Sequence, residues 1–356
     1  MKKLCLLLTA FGFTTTFVKA QDINQIIAGS KADVSRYMNA YFKPFGEGQV
    51  HNLARGWFST GKAHKKLGFD ISVRVQTAII PSGEENFTFR NSDYESFRLS
   101  GGATSGSLPT YMGGETNQQI QVTTTVQGPS GPVTGTASFQ APNGIGDDFK
   151  KFTGMRLSVP LPVVQVGVGL LKNTDVKVRY LPKTNIGDDA SVDVMGVAVQ
   201  HELSNYLPFF KKVPLLHLSL LAGYTKVNVK YQPAFNGNTV SSTNGTFGYD
   251  ISALTVQAIA SAKLAFLEVY AAVGYSKGES NLNIEGTYNV KYNTNFPPPN
   301  NQFTSNITNP ASMTFTGSGM TTTAGVRLNV FFLKFFADYT MGTYNGLGAG
   351  LAVSIR

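Results

Sequence analysis

From Gly68 onward the chain alternates apolar and polar residues over stretch after stretch, and no other feature restricts its fold so strongly. In Phe69-Asp70-Ile71-Ser72-Val73-Arg74-Val75-Gln76 every odd position is apolar and every even one is polar or charged. Successive side chains of a strand point to opposite faces, so such a stretch is a strand with one greasy and one wet face. Val164 to Leu170 and Val176 to Tyr180 repeat the pattern on either side of Lys172-Asn173, which makes a hairpin with a short turn. Leu216 to Tyr224, Leu267 to Tyr275, Phe331 to Tyr339 and Leu347 to Ile355 follow the same rule, although Leu215 and Leu221 break it locally.

One example would also suit a buried sandwich strand, whose sheet has an apolar inner and a charged outer face. Here Gly, Thr and Gln often occupy the less apolar face, which suits a lumen better. Charged residues make only 14% of 356, well under the quarter usual in soluble domains, and the mean hydropathy is -0.05. No run approaches the ~20 apolar residues of a membrane helix. The composition therefore selects an all-β fold, a transmembrane antiparallel barrel. Residues 67–356 number 290; at about 21 residues per strand with its connections this gives about 14 strands, with 12 to 16 as the range. The stretch Asn86 to Ala141 reads as strand-poor, and Phe235 to Gly248 and Tyr288 to Gly317 read as long polar loops.

The N-terminal part differs. Lys2 and Lys3, the apolar Leu4 to Phe13 and Val18-Lys19-Ala20 have the layout of a secretory signal cleaved near Ala20, so residues 1–20 are set apart from the fold. Without Lys2, Lys3 and Lys19 the basic residues fall from 30 to 27 against 21 acids, and the net charge from +9 to +6. The only cysteine, Cys5, lies in that segment, so the mature chain has no disulfide and no Cys-ligated metal. The cluster Lys62-Ala63-His64-Lys65-Lys66 is too short for a nucleic-acid face and reads as a solvated turn.

Residues 21–66 read as a hatch or cap. Val34, Tyr37, Met38, Tyr41 and Phe42 recur on one helical face. Ser30 with Asp33 forms a capping-box start, and Lys43-Pro44 is expected to stop the helix. An apolar helix serves no purpose inside a pore for hydrophilic solutes, whereas a gated route for hydrophobic molecules would use one; a helix that merely caps the barrel from the periplasm or docks on its outside is the equal alternative.

On the parity of the strands, Asp70, Arg74, Asp175, Lys177, Arg179, Glu268, Arg327, Lys334 and Asp338 face the lumen, because a basic side chain in lipid would cost about 2 to 4 kcal/mol near midplane. Their mixed signs suit pairing across the lumen better than an ion filter. Tyr180, Tyr224, Tyr275 and Tyr339, each near a strand end on the outer face, suit an interfacial girdle. The four histidines, His51, His64, His201 and His217, have no zinc spacing, and neither a Gly-x-Ser-x-Gly elbow nor a phosphate-cradling loop occurs. No catalytic residue, metal site or cofactor is expected.

The signal, the helix from Asp22 to Phe42, the Gly-punctuated Asn52-Leu53-Ala54-Arg55-Gly56, the alternating strands and the glycine-rich last strand resemble uncharacterised outer-membrane proteins of diderm bacteria that are distantly similar to FadL-type hydrophobic-compound transporters. The resemblance implies a hatch inside a 14-stranded barrel and movement of a hydrophobic compound through the wall. It also implies an outer-membrane location, with lipid and the barrel assembly machinery as partners. Passive uptake of a small hydrophobic molecule is the expected function. A structural or surface-interaction barrel is the first rival, a soluble secreted β protein the second.

Overall fold

The computed structural model describes residues 24–128, 131–232 and 240–355; the expected signal segment, residues 1–20, lies outside them. In chain order the strands are β1 (Phe69–Ala78), β2 (Asn86–Arg90), β3 (Phe97–Leu99), β4 (Ser105–Pro109), β5 (Gln119–Gly128), β6 (Gly131–Gln140), β7 (Leu161–Leu171) and β8 (Thr174–Ile186). Then come β9 (Ala190–Glu202), β10 (Leu216–Tyr231), β11 (Val240–Leu264), β12 (Leu267–Asn293), β13 (Gln302–Thr308), β14 (Ala311–Val330), β15 (Leu333–Met341) and β16 (Gly346–Ile355). The helices are α1 (Lys31–Ala54), α2 (Gly146–Thr153) and α3 (Pro208–Lys212).

Among the described residues one antiparallel sheet holds fourteen strands, the number expected from length. The closed ring runs through ten of them. β1 pairs with β7 on one side and β16 on the other; the circuit continues through β8, β9, β10, β11, β12, β14 and β15. The remaining four, β3, β5, β6 and β13, extend the sheet off the ring. The wall needs fewer strands than the length suggests because its strands are long: β12 has 27 residues, about 90 Å of extended chain at about 3.4 Å each.

Two expectations about loops therefore change. Tyr288 to Gly317 is not a loop, because β12 continues to Asn293, pairs there with β13, and β14 already begins at Ala311. Similarly, Val240 to Gly248 belongs to β11 and pairs with β12. The supposedly strand-poor stretch Asn86 to Ala141 holds β2 to β6. These cover one end of the ring and form a dome. The opposite end carries the turns β7–β8, β11–β12 and β14–β15 and is called the turn end below.

Ser30 caps α1, accepting the amide N–H of Asp33 at 3.2 Å. The capping box is only half made: the N–H of Ser30 donates to Ser96 Oγ at 3.2 Å, and the Asp33 carboxylate accepts from Glu95 and Ser96. Pro44 does not stop the helix, which runs on to Ala54. Proline leaves the carbonyl four residues back without its helical donor, a cost of about 3 kcal/mol by propensity. Packing against the wall on all sides outweighs it. Val34, Tyr37, Met38, Tyr41 and Phe42 are all 5% exposed or less and form the dome-end core with strands of both wall and dome. Tyr37 meets Phe87 and Phe97 edge-on, at 5.4 and 6.2 Å between ring centroids.

Candidate functional site

The ring is not empty. Below Phe42, α1 descends between wall residues from every side, and the chain continues as an irregular segment to Lys66. Val50, Leu53 and Ala54 pack on Val163 of β7, Val194 of β9, Val227 of β10 and Ile251 of β11, while a Cβ at Gly278 of β12 or Gly317 of β14 would press on Val50. Contacts that surround the helix place it inside the lumen. Lys31 to Lys66 is a plug.

The lower half of this plug is held by polar groups. Arg179 donates to the carbonyls of Leu53 at 3.1 Å and Arg55 at 2.7 Å, and to Gln165 and Thr225. Lys177 donates to the Trp57 carbonyl at 2.9 Å and to Gln200, which in turn donates to the Thr60 carbonyl at 3.0 Å. Arg74 donates to the Phe58 carbonyl at 2.9 Å and lies over the Phe336 ring. The plug's irregular backbone has unpaired carbonyls that water cannot reach, and the three wall cations satisfy them.

The acids act on N–H and O–H groups. Asp175 accepts from the amide and Nδ1 of His64, both at 2.9 Å, and Glu202 accepts from Ala63 N–H at 2.9 Å and pairs with His217 Nδ1 at 2.7 Å. Thr60 donates to Glu268. Asp338 accepts from the Tyr270 hydroxyl at 3.0 Å. Arg327 lies across from Glu268 in the register, and Asp70 is buried on the same inner face of β1. Lys334 sits lower, half-buried at the β14–β15 turn, with Nζ on the Phe331 carbonyl at 2.7 Å. So eight of the nine lumen charges lie inside the wall; most of those with a hydrogen-bond partner hold plug backbone or a plug side chain, rather than each other.

Some inward residues escaped the alternation rule. Leu221, Ile259 and Tyr270 face inward because Trp57 and Phe58 of the plug offer them an apolar surface. The glycines of β16 have a matching cause: a Cβ at Gly346 would run into the Arg55 guanidinium, and one at Gly350 into Phe336. Arg55 donates to the Tyr344 carbonyl. At the dome end, Tyr344 also reaches Glu47 of α1 and Glu84. Burial holds the Glu47 carboxyl above its usual range, with Lys43 opposing and Glu84 adding to the shift.

At the turn end the plug passes directly into the wall. Gly68 N–H donates to the Lys65 carbonyl, Leu67 N–H to that of Gly169, and Gly169 N–H back to Gly68, all at 2.8 or 2.9 Å.

Outside, Tyr180, Tyr224, Tyr275 and Tyr339 are 37 to 61% exposed. They are not all near strand ends, since β8, β10 and β12 continue well past them. They stand instead at one level of the wall. Below it the outward residues are apolar, as in Leu220, Val256, Val273 and Val326; above it they turn polar, with Lys226 and Asn228 on β10 and Lys277 and Glu279 on β12. Phe266, Phe331 and Phe332, all exposed, border the apolar belt at the turn end.

No curated protein matches the chain. Solved structures similar to it include the outer membrane protease OmpT of Escherichia coli, at 10% identity and TM-score 0.28 over 83% of this chain and 100% of that one. The translocator domain of the autotransporter NalP from Neisseria meningitidis matches at 8% and 0.26, and the toluene transporter TodX of P. putida at 8% and 0.24, each over 83% of this chain and 91% of the other. Residues 1–355 match the model of a family of unknown function, DUF6588, and the chain belongs to that family.

Proposed function

We propose that this DUF6588 protein is an outer-membrane barrel, exported by a leader cleaved near Ala20, that passively takes up a small hydrophobic molecule with residues 31–66 as its gate. One observation carries the reading. On the outer face of β12, β14, β15, β16 and β1 lies a shallow apolar groove of about 800 Å³. Val75, Val269, Val326 and Leu347 stand around it, and its floor is made of Ala324, Gly325, Ala337, Gly348 and Ala349. With side chains this small the wall is thin, and the inward residues Tyr270 and Asp338 reach the groove from behind. A solute that enters the groove from water would gain about 25 cal/mol for each Å² of apolar surface it buries, whereas one already in the bilayer would be held there by packing alone.

The belt of outward apolar residues supports a membrane location over a soluble secreted protein, since monomeric soluble proteins rarely expose apolar patches beyond a few hundred Å². Outer-membrane lipid and the barrel assembly machinery are the partners this reading requires. It assigns the chain no catalysis. The rival reading, a barrel that serves surface interaction without transport, draws on the dome of β2 to β6.

A reversible lock separates the two. Asn52 of α1 donates to Ser158 of the wall-side segment at 2.8 Å, and the mature chain has no cysteine of its own, so N52C and S158C place one disulfide between plug and wall. Uptake of the hydrophobic dye N-phenylnaphthylamine by cells carrying this variant should stop on oxidation and resume on reduction. If both states match cells without the protein, the transport reading fails and surface interaction stands.

A further inference from the structure

We propose that the turn end holds a binding site for the phosphate headgroup of a membrane phospholipid. Lys62, Lys65 and Lys66 of the plug's exit, Lys172 of the β7–β8 turn and Lys211 of α3 converge on a cleft of about 470 Å³. They are far apart in sequence, and folding brings them to one place. All five are exposed. The carboxylate that lines the cleft, Glu202, is already engaged by His217 and by the Ala63 amide. Among the described residues the ion pairs belong to His64, His217 and Arg156, so none of the five lysines is neutralised by one. Five like charges around so small a volume repel one another, and a phosphate between them relieves that repulsion while accepting their hydrogen bonds.

The surroundings select a lipid over a free anion. Phe210 lines the cleft, and its neighbours Leu207 and Phe209, with Leu215 one residue beyond Pro214, are 37, 63 and 51% exposed. The apolar belt reaches this level through Leu170 and Leu264. A phosphate seated among the lysines thus has an apolar flank beside it, along which acyl chains can lie in the bilayer. Lysines that extend from a barrel rim to the interface are well placed for this, their stems covering apolar surface and their heads meeting the charge. The site is independent of the wall groove, so its existence does not depend on transport.

The test measures binding of dioctanoyl-phosphatidylglycerol to the full chain folded in a non-ionic detergent. Two variants remove the same charge: K65Q/K172Q/K211Q at the cleft, and K226Q/K230Q/K277Q on the outer face above the tyrosines. Retained heat-modifiable mobility shows that each is folded. The cleft variant should weaken binding tenfold or more and the outer-face variant less than twofold. Dioctanoylglycerol, which lacks the phosphate, should not compete. Equal weakening by both variants, or competition by dioctanoylglycerol, overturns the site. Inorganic phosphate binding as tightly as the lipid overturns the assignment to a lipid and leaves a free phosphate as the ligand.

Discussion

The guanidinium of Arg179 lies over the ring of Trp57, 3.7 Å from its centroid, while its Nη atoms bond the carbonyls of Leu53 and Arg55. One wall side chain thus holds three successive parts of the plug. Hydrogen bonds from a charged donor contribute about 1.5 to 3 kcal/mol each, and a desolvated cation–π contact about 2. Arg179→Ala should lower the unfolding free energy in lipid vesicles by about 3 to 5 kcal/mol. Arg179→Lys should recover less than half, since an ammonium cannot reproduce the planar fork. Trp57 is the sole tryptophan and is buried, so its emission during urea unfolding reports the result.

The outer belt predicts an asymmetry between two positions on neighbouring levels. Val273 faces outward below the tyrosines and is 54% exposed, whereas Lys226 faces outward just above Tyr224. Val273→Arg should cost about 2 to 4 kcal/mol in a bilayer, and Lys226→Arg close to nothing. Equal costs in urea titrations from vesicles would place the membrane elsewhere on the wall.

Gly46 lies where α1 presses on β14. A Cβ there would overlap the ring of Phe315, and the Gly46 carbonyl accepts from Ser280 of β12 at 3.1 Å. Gly46→Ala has to displace helix or ring, and overpacking of this kind costs about 1 to 3 kcal/mol. The same substitution paired with Phe315→Leu should restore most of the loss, which a double-mutant cycle would register.

Glu47 makes stability depend on pH at the dome end. Its folded pKa is raised, so the neutral form is favoured in the native state. The associated stabilisation is fully present below the unfolded value of about 4.3 and is lost as pH rises through the raised folded value. Glu47→Gln is neutral throughout and can still accept from the Tyr344 hydroxyl through its amide oxygen. The wild-type chain should therefore lose more stability than this variant between pH 4 and pH 8, measured by unfolding at both.

The outer face of the wall was the most readable part of the molecule. Lipid admits only apolar side chains, so Val166, Leu220, Val273 and Leu351 recur at every second position whatever lies inside. Inner positions carry no such rule, because the plug offers each a different surface: Leu221 faces Trp57, Gln165 bonds the Trp57 carbonyl at 3.3 Å, and Gly346 leaves room for Arg55. Alternation also says nothing about strand length. An average length gave fourteen strands, and fourteen do form the sheet, yet the 25 residues of β11 and 27 of β12 allow ten to close the wall. The passage of α1 through Pro44 and the meeting of Lys172 and Lys211 with Lys62 to Lys66 depend on contacts between distant segments, which local propensity does not record.

The junction at Leu67 and Gly68 constrains how the plug can move. With only these two residues between the plug and the first wall strand, and both bonded to β7 or to the adjoining turn, that end has no slack. The plug is mechanically a lever with its pivot at the turn end. Displacement of the plug as a body would grow with distance from the pivot, so it would first have to release the α1 start, where Ser30 and Asp33 bond Ser96 of the dome, while the lysine-lined exit would stay in place. On the uptake reading proposed above, a passage past the plug would open from the dome downward.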